Sequence, residues 1–263
     1  MRIFFNNEAN QINIADERFY ESKNKPGVYY PSVTSILDAY FKGYGFYEWL
    51  KQVGFSADEI LRKAGEQGTH VHNMIDNYQK GLSVRWLNDQ DEMIYTLDEW
   101  QMFCRFIEFW TKYNPEKYVN EYSIVSDELG YGGTIDLVSK INNEIWLVDY
   151  KTSNAIHKTH ELQLAAYAVA WNKLNPQYTI QRTGILWLKS QTRGEDKKGK
   201  TIQGEHWILK EFERHYEDAF ELFRHTQAIW LEENLNYKPK NLIYPVEFKL
   251  EQKQSLPTGS TLF

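Results

Sequence analysis

Three side chains near the middle of the chain have the types and spacing to do chemistry together: Asp136, Asp149 and Lys151. Asp149-Tyr150-Lys151 ends the run Ile145-Trp146-Leu147-Val148, and Asp136 stands inside Thr134-Ile135-Asp136-Leu137-Val138. Both runs read as β-strands, in which successive side chains alternate between faces. Asp149 and Lys151 then share a face, Tyr150 takes the other, and a paired neighbouring strand brings Asp136 within about 5 Å. Charges in such apolar runs cost several kcal/mol unless they are paired or bound to metal. One solution is a structural ion pair of Lys151 with Asp136 or Asp149. The other is a site in which the carboxylates hold Mg2+ or Mn2+, hard cations that prefer oxygen ligands. There Lys151 holds a metal-bound water or counters charge on a phosphate oxygen, which outlines a phosphodiester-hydrolysis site. An isolated Asp-x-Lys is usually the ion pair. The Gly132-Gly133 turn before the first acid, and the helix bearing Gln163 and Tyr167 after the lysine, favour the site.

The elements that must position these groups follow from periodicity and punctuation. Tyr118 to Val125, Tyr131 to Lys140 and Glu144 to Tyr150, joined by Gly- or Asn-containing turns, predict an antiparallel meander. Glu161 to Leu174 predicts a helix stopped by Asn175-Pro176, followed by strands near Arg182 to Lys189 and His206 to Leu209 and a last helix over Glu213 to Leu235. Upstream, residues 1–30 read as a loose hairpin and Ser32 as the N-cap of a short helix. Helices are expected over Phe46 to Val53, from a capping box at Ser56-Ala57-Asp58-Glu59, and over Met93 to Tyr113. Gly65 and Gly68 should interrupt the second of these before Thr69 to Lys80. The order predicts an α/β/α sandwich: a mixed sheet flanked by helices, with the first 115 or so residues as helical decoration.

Bulk composition narrows the function classes. The chain has 263 residues with 16% aromatics, ample for a large core, and a net charge of -6 that argues against a wholly basic nucleic-acid or membrane surface. No apolar run approaches a membrane span, and Met1-Arg2-Ile3 begins no secretory pattern, so a cytoplasmic protein is expected. The single cysteine, Cys104, excludes disulfide frameworks and an iron–sulfur cluster held by four cysteines. The tail over residues 251–263, with Pro257 and Gly259, is expected to be flexible; its final Leu262-Phe263 either frays or docks on a protein partner.

Four short motifs, in order, resemble the PD-(D/E)xK nuclease superfamily in its RecB-like exonuclease branch. They are Gly68-Thr69-His70-Val71-His72, Gly133-Thr134-Ile135-Asp136, Asp149-Tyr150-Lys151-Thr152 and Gln163-Leu164-Ala165-Ala166-Tyr167. Pro31-Ser32-Val33-Thr34 is similar to the start of phage and mitochondrial-genome-maintenance exonucleases of that branch. Ile135 replaces the proline of the superfamily's name. The resemblance implies a restriction-endonuclease-like core over 116–250, with 1–115 contributing a metal-site histidine. It implies Asp136, Asp149, Lys151, Gln163 and Tyr167 as catalytic residues. The cation, Mg2+ or Mn2+, would be held by His72, Asp136, Asp149, the carbonyl of Tyr150 and Glu121, with no iron–sulfur cluster. Ser32, Thr34, Thr152 and Ser153 are the implied contacts to nucleic acid, although Thr152 and Ser153 equally suit a strand end.

Alternatives stay open at several of these positions. Gln163 and Tyr167 equally suit a helix–sheet packing face. His70 points about 200° away from His72 around the helix. Asp76 either orients His72 or joins an exposed pair. His157 and His160 read as loop residues. Phe46, Tyr47, Trp49 and Phe55 are expected in packing, with base stacking as the other use. The resulting expectation is a Mg2+- or Mn2+-dependent deoxyribonuclease acting on DNA ends or single strands, in recombination, repair or replication. Its alternatives are an endonuclease of the same superfamily and a non-catalytic nucleic-acid-binding module.

Overall fold

Alternating apolar positions near the amino terminus build more than a hairpin. The computed structural model describes residues 3–6, 11–14, 17–189, 194–195, 201–202 and 207–239. In it β1 (Ile3–Asn6), β2 (Gln11–Ile14), β3 (Glu17–Glu21) and β4 (Tyr29–Pro31) pair antiparallel in that order as a four-stranded sheet. The Ser32 hydroxyl, accepting from the Ser35 amide at 2.9 Å, caps α1 (Val33–Leu37) as its sequence predicts.

The helices that follow differ from expectation at their starts. The segment from Phe46 begins as α2 (Tyr44–Val53). The capping box expected at Ser56 does not form, because Gly54–Ser56 is a 3-10 turn running straight into α3 (Ala57–Gln79). Ser56 therefore has helical angles, φ -79 and ψ -6, where a capping side chain needs an extended backbone. Gly65 and Gly68 do not interrupt α3, which is anchored further on by buried Val71, Met74 and Ile75. α4 (Leu97–Tyr113) starts later than Met93, at Thr96, whose side chain and that of Glu99 cap each other's amides.

The expected meander is present as β5 (Glu116–Ser126), β6 (Tyr131–Ile141) and β7 (Glu144–Lys151). α5 (Lys158–Leu174) crosses back so that β8 (Arg182–Trp187) lies parallel to β7. A two-stranded ribbon, β9 (Gly194–Glu195) with β10 (Thr201–Ile202), precedes β11 (Ile208–Glu211) and α6 (Tyr216–Glu233). The main sheet is five-stranded and mixed, ordered β11-β8-β7-β6-β5.

Alternation along β7 sends its residues to two cores. Trp146, Val148 and Tyr150 join Val71, Met74 and Phe106 under α3 and α4, while Leu147 joins Leu164, Ala165 and Phe223 under α5 and α6. The sandwich is thus as predicted, but α3 and α4 are its second cover rather than decoration. His157 and His160, read as loop residues, lie at the start of α5, where the His157 amide donates to His160 Nδ1 at 3.3 Å. Among the described residues no helix is long and apolar enough to cross a membrane. The tail over 251–263 lies outside the described residues.

Candidate active site

The site forms where the sheet opens. β6 and β7 are paired as far as Leu137 with Val148; beyond it, the Tyr150 amide donates to Asp136 Oδ2 at 2.7 Å. A side-chain carboxylate thus takes over from a main-chain acceptor, and the fork between the strands is held by a hydrogen bond to a charged acceptor, stronger than a neutral one. β7 is also where the meander gives way to parallel pairing with β8, at the carboxyl end of a strand, the usual position for ligands in open sheets. On the other side of β6, Asn120 pairs with Leu137 and Tyr122 with Ile135, so Glu121 lies across from Asp136. Glu121 has φ 45, a left-handed conformation that costs a residue with a Cβ roughly 1–2 kcal/mol.

α3 delivers the imidazole. His72 Nδ1 lies 3.4 Å from Glu121 Oε1 and 3.6 Å from Asp136 Oδ1, and Nε2 lies 3.2 Å from the carbonyl of Tyr150. Gly68 lets the helix approach, since a Cβ there would meet Thr152 Oγ1 at 3.2 Å. His70 faces elsewhere, as its helical angle predicts, and binds Glu99 of α4 at 2.7 Å. Asp76 does not orient His72; its carboxylate is taken by Lys80 at 2.6 Å and by Asn120 at 2.7 Å. It ties α3 to β5 beside Glu121 instead.

Lys151 Nζ sits 2.6 Å from Asp149 Oδ2 and donates to Gln163 Oε1 at 3.0 Å. Both alternatives of the sequence therefore coexist: the lysine is ion-paired, and the pair stands beside a second carboxylate. Burial pushes the Asp149 carboxyl up to about 6, Lys151 opposing and Asp136 adding to the rise. Burial likewise raises Asp136, with His72 opposing it. For His72 burial favours the neutral ring, but Asp136, Glu121 and Asp149 outweigh it and lift the imidazole to about 9. The cluster is strained in charge, and a divalent cation would relieve it. His72, Glu121 and Asp136 each offer a ligand atom, all within 4.8 Å of one another, so the donors present fit a cation that accepts oxygen and imidazole.

A family model of the PD-(D/E)XK nuclease superfamily matches residues 46–240. The chain belongs to this superfamily. No curated protein matches the sequence. Among solved structures, a Eubacterium rectale protein described as a candidate exonuclease is 14% identical, with a TM-score of 0.42 over 83% of this chain and 91% of its own. As members of this superfamily are nucleases that use divalent metal ions, the chain is a nuclease-type hydrolase by family.

Within that superfamily frame, the second half of the site is built around two adjacent glycines. A Cβ on Gly133 would lie 2.3 Å from Tyr167 Cε1, and one on Gly132 would lie 2.4 Å from Tyr20 Cγ. Two buried tyrosines thus clasp β6 just before Asp136. Tyr20, from the amino-terminal sheet, also approaches Thr134 with its hydroxyl at 3.3 Å from Oγ1. Sequence reading missed Tyr20; the doubled glycine was the signal, because each marks a large side chain crossing the strand. Gln163 and Tyr167, one turn apart on α5, are both buried and share one helix face, so packing and site contact are one arrangement.

The candidate nucleic-acid contacts separate. The Ser32 hydroxyl is buried and committed to Ser35 and Thr34, which leaves it no free role toward a phosphate. Thr34 is exposed. Thr152 is half-buried beside α3, and the Ser153 hydroxyl donates to the Ala155 carbonyl at 2.8 Å, as in a strand-end cap. His160, next to Lys151, is driven down to about 3 by its burial, by the lysine and by His157.

Proposed function

We propose that this chain is a Mg2+- or Mn2+-dependent DNA exonuclease of the RecB-like branch, working in cytoplasmic recombination, repair or replication. One observation carries the reading: the fork between β6 and β7 gathers His72, Glu121 and Asp136 around one point, with the Asp149–Lys151–Gln163 chain beside it. His72, Asp136, Asp149, Glu121 and the carbonyl of Tyr150 would hold the cation. When bound, such an ion acidifies water and neutralises charge on the phosphate. Lys151, fixed by Asp149 and Gln163, points one ammonium at the attacked phosphate and orients the nucleophile. Gln163 keeps that ammonium in place, and Tyr167 keeps Gln163 in place. Thr34, Thr152 and Ser153 are the proposed contacts to the phosphate backbone, while Ser32 acts only by capping α1.

End-labelled linear DNA and covalently closed circles, each with Mg2+, Mn2+ or EDTA, test the reading. Loss of label from the linear DNA alone, abolished by EDTA and by Lys151→Ala, is the expected result. Nicking of the circles would make it an endonuclease, and binding without cleavage would make it a nucleic-acid-binding module.

A further inference from the structure

α2 buries none of its side chains. The buried packing expected for Phe46, Tyr47, Trp49 and Phe55 is only partly found: Phe46 and Trp49 are half-buried against each other, while Phe55 is fully exposed and Tyr47 nearly half so. The rings of Phe41, Tyr47, Phe46 and Trp49 instead form a continuous row, with successive centroids 6.4, 5.8 and 5.8 Å apart. Phe46 and Trp49 make one wall of a groove of about 870 Å3, and Leu61 and Ala64 of α3 belong to another. Ala155, His157 and Lys158, from the segment joining β7 to α5, complete it. Contiguous apolar surface of this kind marks a place for a partner.

Charge and position select the occupant. Lys42, His157 and Lys158 line the groove and, among the described residues, no carboxylate does, in a chain whose net charge is -6. Lys158 pairs with Glu161, but Arg214 holds that carboxylate too, at 3.2 Å, so a positive charge is left over. Lys42 pairs with Asp38, whose side chain is 75% exposed; such pairs contribute under about 1 kcal/mol and exchange readily for phosphate. The groove is also continuous with the site: the residues that close it follow Lys151-Thr152-Ser153 directly, and Ala64 lies on the helix that carries His72. At 1.5 Å per helical residue the two are separated by about 12 Å, roughly three to four stacked nucleotides.

We propose that this groove binds unpaired nucleotides of the strand being cut, their bases stacked on Phe46 and Trp49 and their phosphates countered by Lys42, His157 and Lys158. The proposal rests on the nuclease reading of the adjoining site and adds to it a preference for single-stranded or frayed ends. Paired bases cannot stack on the rings, whereas any unpaired base can, since every base has a π-face.

Affinity is measured for the full chain carrying Lys151→Ala, with fluorescein-labelled twelve-nucleotide oligothymidylate. Turnover is measured in the background with Lys151 intact, on the same oligonucleotide and on the dinucleotide pTpT, which is too short to span site and groove. Phe46→Ala with Trp49→Ala should weaken oligonucleotide binding about ten-fold or more. Lys42→Glu with Lys158→Glu, a surface pair that leaves the rings in place, should weaken it as well and flatten its salt dependence. Turnover of pTpT should stay within about two-fold in both. Unchanged oligonucleotide affinity in both double variants overturns the proposal. A changed oligomer size with unchanged affinity assigns the groove to a second copy of the chain and overturns it too. If the intact protein cleaves neither substrate yet binds oligothymidylate through the groove, the nuclease reading falls and the groove stands.

Discussion

Gly133→Ala tests the clasp between β6 and α5 with a single methyl group. The added Cβ would lie 2.3 Å from Tyr167 Cε1, 2.6 Å from its hydroxyl oxygen and 2.8 Å from Cζ. Relief requires the ring to move by about 1 Å, and Tyr167 is only 3% exposed, so neighbouring side chains must move with it. Overpacking of this kind costs about 1–3 kcal/mol, which at roughly 2–4 °C per kcal/mol for a chain of this size predicts a fall in Tm of about 2–12 °C. Activity should fall further than stability implies. Tyr167 stands one turn from Gln163 on the same buried face of α5, and Gln163 holds Lys151 at 3.0 Å, so a displaced ring shifts the ammonium. A misplacement near 1 Å can cost about 10²-fold in rate. Urea unfolding followed by circular dichroism, on Gly133→Ala, Tyr167→Ala and the double variant, reads the stability part. Removing the ring removes the clash, so the double variant should be more stable than the sum of the single losses by about 1 kcal/mol or more. Strict additivity, or a Gly133→Ala protein within about 0.5 kcal/mol of its parent, would refute the reasoning.

Four further outcomes follow from the same geometry. His72→Ala should weaken Mn2+ binding by titration calorimetry far more than His70→Ala, because His70 is turned to Glu99 at 2.7 Å; the reverse order would mean that the imidazole at the fork is not a ligand. Cation uptake should release a proton near neutral pH, since His72 titrates at about 9 in the cation-free site, and affinity should tighten by about ten-fold per pH unit up to that value; calorimetry in two buffers of different ionisation enthalpy checks it, and zero release would contradict the assignment. The raised His72 value also means that its contribution to the stability of the cation-free fold is complete below about 6.5 and lost as pH rises through about 9. Finally, Glu121→Gly should be more stable than Glu121→Ala by about 1 kcal/mol in thermal melts, although glycine is normally the less stable choice in a strand, because only glycine tolerates φ 45 without strain.

The strand alternation at Ile145 to Lys151 was legible because it is local: period two alone sends Asp149 and Lys151 one way and Tyr150 the other. The meander and the crossover helix follow from turn residues in the same manner. What the sequence concealed depends on neighbours distant along the chain. Asp76 could equally have faced His72, and it is turned away by Lys80 one helical turn on and by Asn120, which reaches it from a strand 44 residues away. Glu121 carries no sign of its left-handed backbone, since glutamate has no preference for that region; the conformation is imposed where its strand meets Asp136 across β6. The amphipathic pattern of α2 gave its helix but misplaced its environment, because an apolar face says that something should cover it and not that the chain itself does. The same limit explains the doubled glycine: Gly132 and Gly133 announced that β6 is crowded, while Tyr20 and Tyr167, far apart in sequence, do the crowding. A site assembled from two helices and a forked sheet is therefore written in the sequence as its reacting residues, and its positioning residues appear only when the faces are brought together.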